Sequence, residues 1–469
     1  MKLFRHIAAR HSGLYLFFYK VTERIILFLR PVFMWVGLSR LEGPFVLLER
    51  ATKGFLFDCK MCGQCLLSST GMVCPMNCPK QIRNGPCGGV REDGFCEIDA
   101  QMKCVWVEAW TGVKKIGGQE TFTIPLRPAE TNQQGSSAWA RVIEKNKDAD
   151  ELYRVKVFPP ASLEVGPHRR PSGILEERLQ AGDFVVTAEL SPPDSADPAE
   201  VIQRVAPLKG LVTAVNVPDG AGANCHMSSL ASSVILHNDG IVPVMQYACR
   251  DRNRIALQGD ILGATALGVT NLLCVTGDSV QAGDQKGAKP VFDLDSISLL
   301  RTAKMMRDEG IFLSGRQLKD SPNLFLGAAL NPFVSPIEAR VLRMERKINA
   351  GAQFFQTQFC FDIIALKKFM TEVRARGLHK KCYILVGVGP LVSAKAAKFI
   401  KSSIPGVTIP DHIIDRLERA GDERQEGKKI CIETLNQLRQ IEGVSGVHLM
   451  SYRKERLLAE IISESDIMG

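Results

Sequence analysis

The chain has 469 residues, 45% hydrophobic and 23% charged, with a net charge of +9 and a mean hydropathy near zero. That balance fits a multi-domain globular protein and excludes wholesale disorder, a collagen-like repeat and a multi-span membrane protein. Spread over this length, the surplus charge is too mild to argue for nucleic acid as a partner.

Residues 1–50 read as a basic helical lead, with eight Lys/Arg against three Asp/Glu. Its apolar run LYLFFYKVTERIILFLRPVFMWVGL is interrupted by Lys20, Glu23, Arg24 and Arg30 and broken by Pro31. A spanning helix needs about 20 mostly apolar residues, and a secretory signal needs a clean apolar stretch before a cleavage site; neither fits. Apolar residues at 14, 17, 18, 21, 25, 28 and 29 follow helical spacing. They predict an amphipathic helix packed on the rest of the protein or on a partner. The alternative is a basic helix making peripheral contact with a membrane surface.

Residues 51–116 hold a cysteine-rich, metal-binding module. Eight of the 14 cysteines fall here: Cys59, Cys62, Cys65, Cys74, Cys78, Cys87, Cys96 and Cys104. The C-x2-C-x2-C opening and Cys78-Pro79 match the two ends of a ferredoxin-type motif, although eight residues rather than three follow Cys65. One or two 4Fe–4S clusters are the favoured reading. All-cysteine zinc and a disulfide scaffold are the alternatives. No histidine lies within 59–104, so a Cys/His finger is excluded locally. The other six cysteines are scattered singly, as expected of a reducing, cytoplasmic setting.

Residues 117–180 read as a linker, with TNQQGSS, FPP and GPHRRPSG and one short helix near 137–155. In residues 181–469, eight β-branched or apolar runs alternate with helical patterns, from FVVTAEL (184–190) to GVHLMSY (446–452). That is the α/β pattern of a (β/α)8 TIM barrel; an open doubly wound sheet is the runner-up. Chemistry in such a barrel belongs at the C-terminal strand ends. The polar residues there are Glu189, Asn216, Asp219, Gln246, Thr276, Asp278, Asn331, Gln358, His448 and Ser451.

Glu189 in AELSPP is a candidate general acid, or a solvated strand-end carboxylate. Asp278 closes CVTGD, where Gly277 lets a carboxylate approach a ligand ring; the plainer reading is a capping aspartate. Arg250, Arg252 and Arg254 are placed to hold phosphate or to solvate a helix start. The Gln358 amide suits a heterocycle edge. DGAGAN lacks the third glycine of a dinucleotide fingerprint, and no G-x-S-x-G, H-E-x-x-H or P-loop is present.

AELSPP, PVMQYACRDRNR, GVTNLLCVTGD, KPVFDLD, RKINAGAQFFQTQFCFD and GVHLMSY occur in an order that resembles the methylenetetrahydrofolate reductase barrel over nearly all of 181–469. The resemblance implies an FAD-dependent reduction of 5,10-methylenetetrahydrofolate to 5-methyltetrahydrofolate, or the reverse. It implies Glu189 as general acid, Asp278 near flavin and pterin, Gln358 on substrate and Lys347 on flavin. Three departures stand out: Gln246 replaces a frequent flavin-contacting histidine, Val291–Phe292 replace a tyrosine region, and ALNPFVSP replaces a tyrosine-proline-glutamate loop. Gln246 and Arg250 remain assigned to the cofactor side.

Residues of about 45–115 closely resemble the cysteine-rich iron–sulfur subunit that accompanies this reductase in acetogenic bacteria, here fused ahead of the barrel. The resemblance implies an electron-relay and assembly module. The donor is then NAD(P)H, ferredoxin or a partner flavoprotein, in a homo-oligomer or larger redox complex. Two other functions compete: a relay subunit with a degenerate folate-binding barrel, and a non-redox methyltetrahydrofolate:corrinoid methyltransferase.

Overall fold

In the computed structural model, residues 2–154, 170–404 and 406–468 are described. The N-terminal third is helical: α1 (Lys2–Arg10), α2 (Ser12–Phe28), α3 (Arg30–Val36), α4 (Leu38–Phe57), α5 (Val105–Lys115), α6 (Ala138–Lys145) and α7 (Ala149–Tyr153). Between α4 and α5 the cysteine segment forms only short 3-10 turns and isolated bridges.

The eight apolar runs become β1 (Val185–Glu189), β2 (Ala214–Val217), β3 (Pro243–Ala248), β4 (Asn271–Val275), β5 (Phe325–Leu330), β6 (Phe354–Phe359), β7 (Tyr383–Val388) and β8 (Gly446–Leu449). They pair in chain order, all parallel, and β8 returns to β1 from Val185↔Gly446 to Ala188↔Leu449. The sheet is therefore a closed (β/α)8 barrel, not an open sheet. Preceding it, α8 (Ile174–Gln180) closes the floor: Leu175 and Leu179 pack with Val185, Val244, Phe325 and Phe354. Phe325 and Phe354 stack at 4.7 Å. Gly327 must be glycine, because a Cβ there would lie 2.2 Å from the Phe354 ring.

The connecting helices α9 (Pro198–Val205), α10 (Ser229–Asn238), α11 (Arg254–Ala266), α12 (Ser296–Lys304), α13 (Ile337–Ala350) and α14 (Ile363–Ala375) each follow one strand. After β7 come α15 (Ala394–Ser403), α16 (Asp411–Glu418) and α17 (Glu423–Leu438), and α18 (Glu455–Glu464) follows β8. Their inner faces and the outward strand residues make the main core.

The cysteine module is seated on this barrel. Trp106, Trp110 and Phe122 share a core with Leu342 of α13 and with Val334 just before it, and the Arg346 guanidinium lies 4.9 Å from the Phe122 ring centroid. Residues 117–154 fold back over the module and lead. There Asp150 accepts hydrogen bonds from Ser68 (2.8 Å), Ser69 (2.7 Å) and Lys20 (3.1 Å). FPP and the first half of GPHRRPSG lie outside the described residues.

Of the placements expected for the apolar stripe of the lead, on the rest of the protein, on a partner or at a membrane surface, the first does not occur. Leu14, Phe17, Phe18, Ile25 and Phe28 do not pack on the rest of the protein; they are exposed. The face α2 turns inward carries Ser12, Tyr19, Glu23 and Ile26. It meets polar groups, including the Gly112 carbonyl, which accepts from Ser12 Oγ at 2.8 Å, and the Ala149 amide, which donates to Glu23 at 3.3 Å.

Candidate active site and cysteine cavities

Glu189 ends β1. Its Oε2 accepts a hydrogen bond from Gln246 Nε2 at 3.1 Å and stands 3.8 Å from His448 Nε2. His448 is buried, with Nδ1 3.0 Å from Thr187 Oγ1. Gln356 Nε2 reaches Thr187 Oγ1 at 3.4 Å and Asn216 Oδ1 at 2.9 Å. Side chains from β1, β2, β3, β6 and β8 thus form one network across the upper barrel, which fixes the orientation of the Glu189 carboxylate.

Opposite, Asp278 follows β4 and its Oδ2 accepts from the Gly222 amide at 3.1 Å, so the DGAGAN loop leans on it. Gly277 before it has φ +91°, and a Cβ there would lie 2.9 Å from Arg250 Cβ. Only glycine combines that backbone with that approach. A cavity of about 330 Å³ at the mouth is lined by Glu189, Gln246, Arg250, Asp278, Lys347 and Gln358. The six residues expected to act on substrate or cofactor meet there, with Asp219, Thr276, Asn331 and His448, whereas Asn216, Ser451, Arg252 and Arg254 do not line it.

The charge of this cavity is positive on one wall. Arg340, Arg343 and Lys347 occupy one face of α13 and line it. Each donates to a backbone carbonyl rather than a carboxylate: Arg340 to Val334, Arg343 to Asn84, Lys347 to Ala329. Burial lowers all three; neighbouring arginines add to it at Arg343, which falls to about 10, and at Lys347, which falls well below its ordinary value. A buried row of cations with no carboxylate bonded to it fits a bound anion such as a diphosphate. The CRDRNR arginines are paired within the protein, and of the three only Arg250 lines the cavity. Arg250 bonds Asp251 (2.7 Å) and the Gly220 carbonyl (3.1 Å), Arg252 bonds Asp219 (2.6 Å), and Arg254 bonds Asp293 (2.8 Å) and Glu130 (2.9 Å).

Sequence reasoning missed the module's contribution to the mouth. Lys80, Cys87, Gly88 and Gly89 also line the cavity. Lys80 Nζ donates to the Gly277 carbonyl at 2.7 Å, pairs with Glu97 and lies 5.5 Å from the Phe292 ring centroid. Its position next to Pro79 within the cysteine motif was the one available signal.

All eight module cysteines are free thiols, as are the other six, so the disulfide reading has no pair to rest on. They divide in chain order. Cys59, Cys62, Cys65 and Cys74 line one small cavity, and Cys78, Cys87, Cys96 and Cys104 line a second. Cys87 borders both the second cavity and the barrel mouth. Each cavity carries one buried lysine paired to a carboxylate, Lys53 with Glu49 and Lys80 with Glu97. A hydrogen bond with Cys74 brings Cys59 down to about 7, and burial raises Cys65 to about 11 and Cys87 to about 12. Among the described residues, no three His, Cys, Asp or Glu side chains converge closely enough to hold a single ion.

A family model described as methylenetetrahydrofolate reductase matches residues 174–466. A second, described as methylene-tetrahydrofolate reductase C terminal, matches residues 38–134. A probable methylenetetrahydrofolate reductase (NADPH) of Caenorhabditis elegans is 25% identical over 50% of this chain and 34% of its own length; the chain thus spans about a third of that relative. A 5,10-methylenetetrahydrofolate reductase of Pectobacterium carotovorum is 23% identical over 59% of this chain and 88% of its own. Among solved structures, an uncharacterised Clostridium thermocellum protein that binds two copies of 5-methyl-5,6,7,8-tetrahydrofolic acid is 16% identical. It has a TM-score of 0.46 over 63% of this chain and 99% of its own.

Proposed function

The chain belongs to the methylenetetrahydrofolate reductase family, and from that premise we propose that it interconverts 5,10-methylenetetrahydrofolate and 5-methyltetrahydrofolate at the barrel mouth. One observation carries this reading: Glu189, Gln246, Asp278, Lys347 and Gln358 line a single cavity. Glu189 acts as general acid, giving a proton to the ring amine as the carbon–nitrogen bond of the five-membered ring opens and leaves an iminium; in the reverse direction it takes that proton back. Gln246 and His448 hold the carboxylate in place. Asp278 and Gln358 orient the pterin. The Arg340–Arg343–Lys347 row would hold the diphosphate of FAD. Lys80, Gly88 and Gly89 restrict water at the rim. FAD, when bound, supplies the hydride chemistry.

We further propose that each cysteine cavity holds a metal centre, read as a 4Fe–4S cluster from the motif spacing, with zinc the alternative. Four thiols and one buried lysine per cavity support this. The border position of Cys87 supports relay of electrons to the mouth from NAD(P)H, ferredoxin or a partner flavoprotein.

Glu189→Gln tests the acid. It is expected to lower turnover by about 10²–10⁴-fold with flavin content unchanged; turnover within about twofold of the parent would overturn the assignment. A flavin-free protein that moves the methyl group to a corrinoid acceptor without net redox would replace the reductase reading with a methyltransferase.

A further inference from the structure

The lead buries part of its apolar surface, Tyr19 and Ile26 on α2, and leaves a longer apolar stripe outside. On α2, Leu14, Phe17, Phe18, Ile25 and Phe28 are 52–83% exposed, while Ser12 and Glu23 are buried. The apolar stripe continues on α3, where Val32 and Trp35 are 54% and 87% exposed. On α4, Leu47, Leu48 and Phe55 add 67%, 52% and 57%. Single exposed apolar residues are ordinary; a run of this extent marks an interaction surface.

The charges select its occupant. All three carboxylates of residues 1–50 are drawn inward. Glu23 pairs with Lys20 at 3.0 Å, Glu49 pairs with Lys53 at 3.0 Å, and Glu42 accepts from the Ser137 amide at 2.8 Å. Among the described side chains of the lead, the exposed cations are Arg10, Arg24, Arg40 and Arg50. An apolar surface with an aromatic edge, cationic flanks and no exposed acid is complementary to an anionic bilayer interface. A second copy of this chain would instead bring the same arginines against these.

The backbone sets the mode of contact. No single helix among the described residues is long and apolar enough to cross a membrane, and α3 and α4 are bent by 117° at their junction. Together α3 and α4 have the length and apolar content of one span, but that bend breaks it, and the exposed stripe runs on through α2, α3 and α4, which favours contact along a surface. We propose that α2–α4 form a docking surface for the anionic face of a phospholipid bilayer. This is independent of the chemistry assigned to the barrel.

Trp35 supplies a built-in reporter. It is 87% exposed, whereas Trp106, Trp110 and Trp139 are 1%, 5% and 8% exposed. The full chain is mixed with phosphatidylcholine vesicles, either pure or containing about one-third phosphatidylglycerol, and read by tryptophan emission and sedimentation. The expected result is a blue shift and co-sedimentation with the anionic vesicles, with affinity at least about tenfold lower on neutral vesicles or in high salt. Ile25→Glu with Phe28→Glu, which retains Trp35, should abolish both signals at unchanged circular dichroism. Arg24→Glu with Arg40→Glu should weaken binding by more than about tenfold. Unshifted emission with both vesicle types would overturn the proposal, as would binding unaffected by these substitutions. So would a dimer in light scattering that the Ile25/Phe28 pair dissociates, since the occupant would then be a second copy.

Discussion

Removing the Asp295 carboxylate should loosen the cysteine module from the barrel. Asp295 is 4% exposed and joins the two parts with both oxygens. Its Oδ2 accepts from the backbone amides of Arg83 (3.1 Å) and Asn84 (2.8 Å), and its Oδ1 caps α12 through Ile297 (3.1 Å) and Ser298 (2.8 Å). In Asp295→Ala, the lost cap costs about 1 kcal/mol. The two module amides left without an acceptor cost about 1–3 kcal/mol each. The total of about 3–7 kcal/mol is a large part of the roughly 5–15 kcal/mol that holds a domain. Asp295→Asn keeps one acceptor oxygen, which can serve either the α12 cap or the two module amides but not both, so it should lose less than Asp295→Ala. Urea unfolding followed by the fluorescence of Trp106 and Trp110, in the module core, reads the change. A loss below about 1 kcal/mol in Asp295→Ala would refute the reasoning.

Three further outcomes follow from particular residues. Gly277→Ala places a Cβ 2.9 Å from Arg250 Cβ at φ +91°. It should cost about 2–5 kcal/mol, read as a drop in melting temperature, and weaken flavin or folate binding in equilibrium titration. Cys62→Ala should lose metal from the first cavity and expose residues 51–116 to protease, because thiolate sites couple binding to folding; unchanged metal content would contradict the ligand assignment. Burial alone would raise Asp150, but hydrogen bonds from Ser69 and Ser68 and the charges of Arg154 and Lys20 hold it below its ordinary 3.8. Its ionised form therefore stabilises the fold fully above pH 3.8, and that contribution fades as pH falls through the lower folded value. Asp150→Asn should be the less stable protein at neutral pH, with the gap in urea midpoint closing below pH 3.8.

The barrel was legible because β-branched runs and strand-end polar residues are local signals: Glu189 and Gln358 stand at the ends of β1 and β6, and Asp278 lies just past β4. Lys347 was found only through family resemblance. Arg340 and Arg343 were missed because a cation on a helix looks solvated until α13 is packed against the mouth. Lys80 was missed because its acceptor, the Gly277 carbonyl, is 197 residues away. Helical periodicity correctly grouped Leu14, Phe18, Ile25 and Phe28 on one face. It could not say which way that face points, since that depends on whether the facing elements offer apolar side chains or groups such as the Gly112 carbonyl. Spacing likewise left the pairing of eight cysteines open, and the two cavities divide them four and four.

The central claim is reductive chemistry at the barrel mouth, and a single-turnover experiment tests it directly. The protein is purified anaerobically, its flavin reduced and then mixed with 5,10-methylenetetrahydrofolate while absorbance near the flavin maximum is followed. Reoxidation that yields one 5-methyltetrahydrofolate per flavin, and that slows strongly in Glu189→Gln, is the predicted result. A protein that carries no flavin after reconstitution, or a reduced flavin that the substrate leaves unchanged, would contradict it.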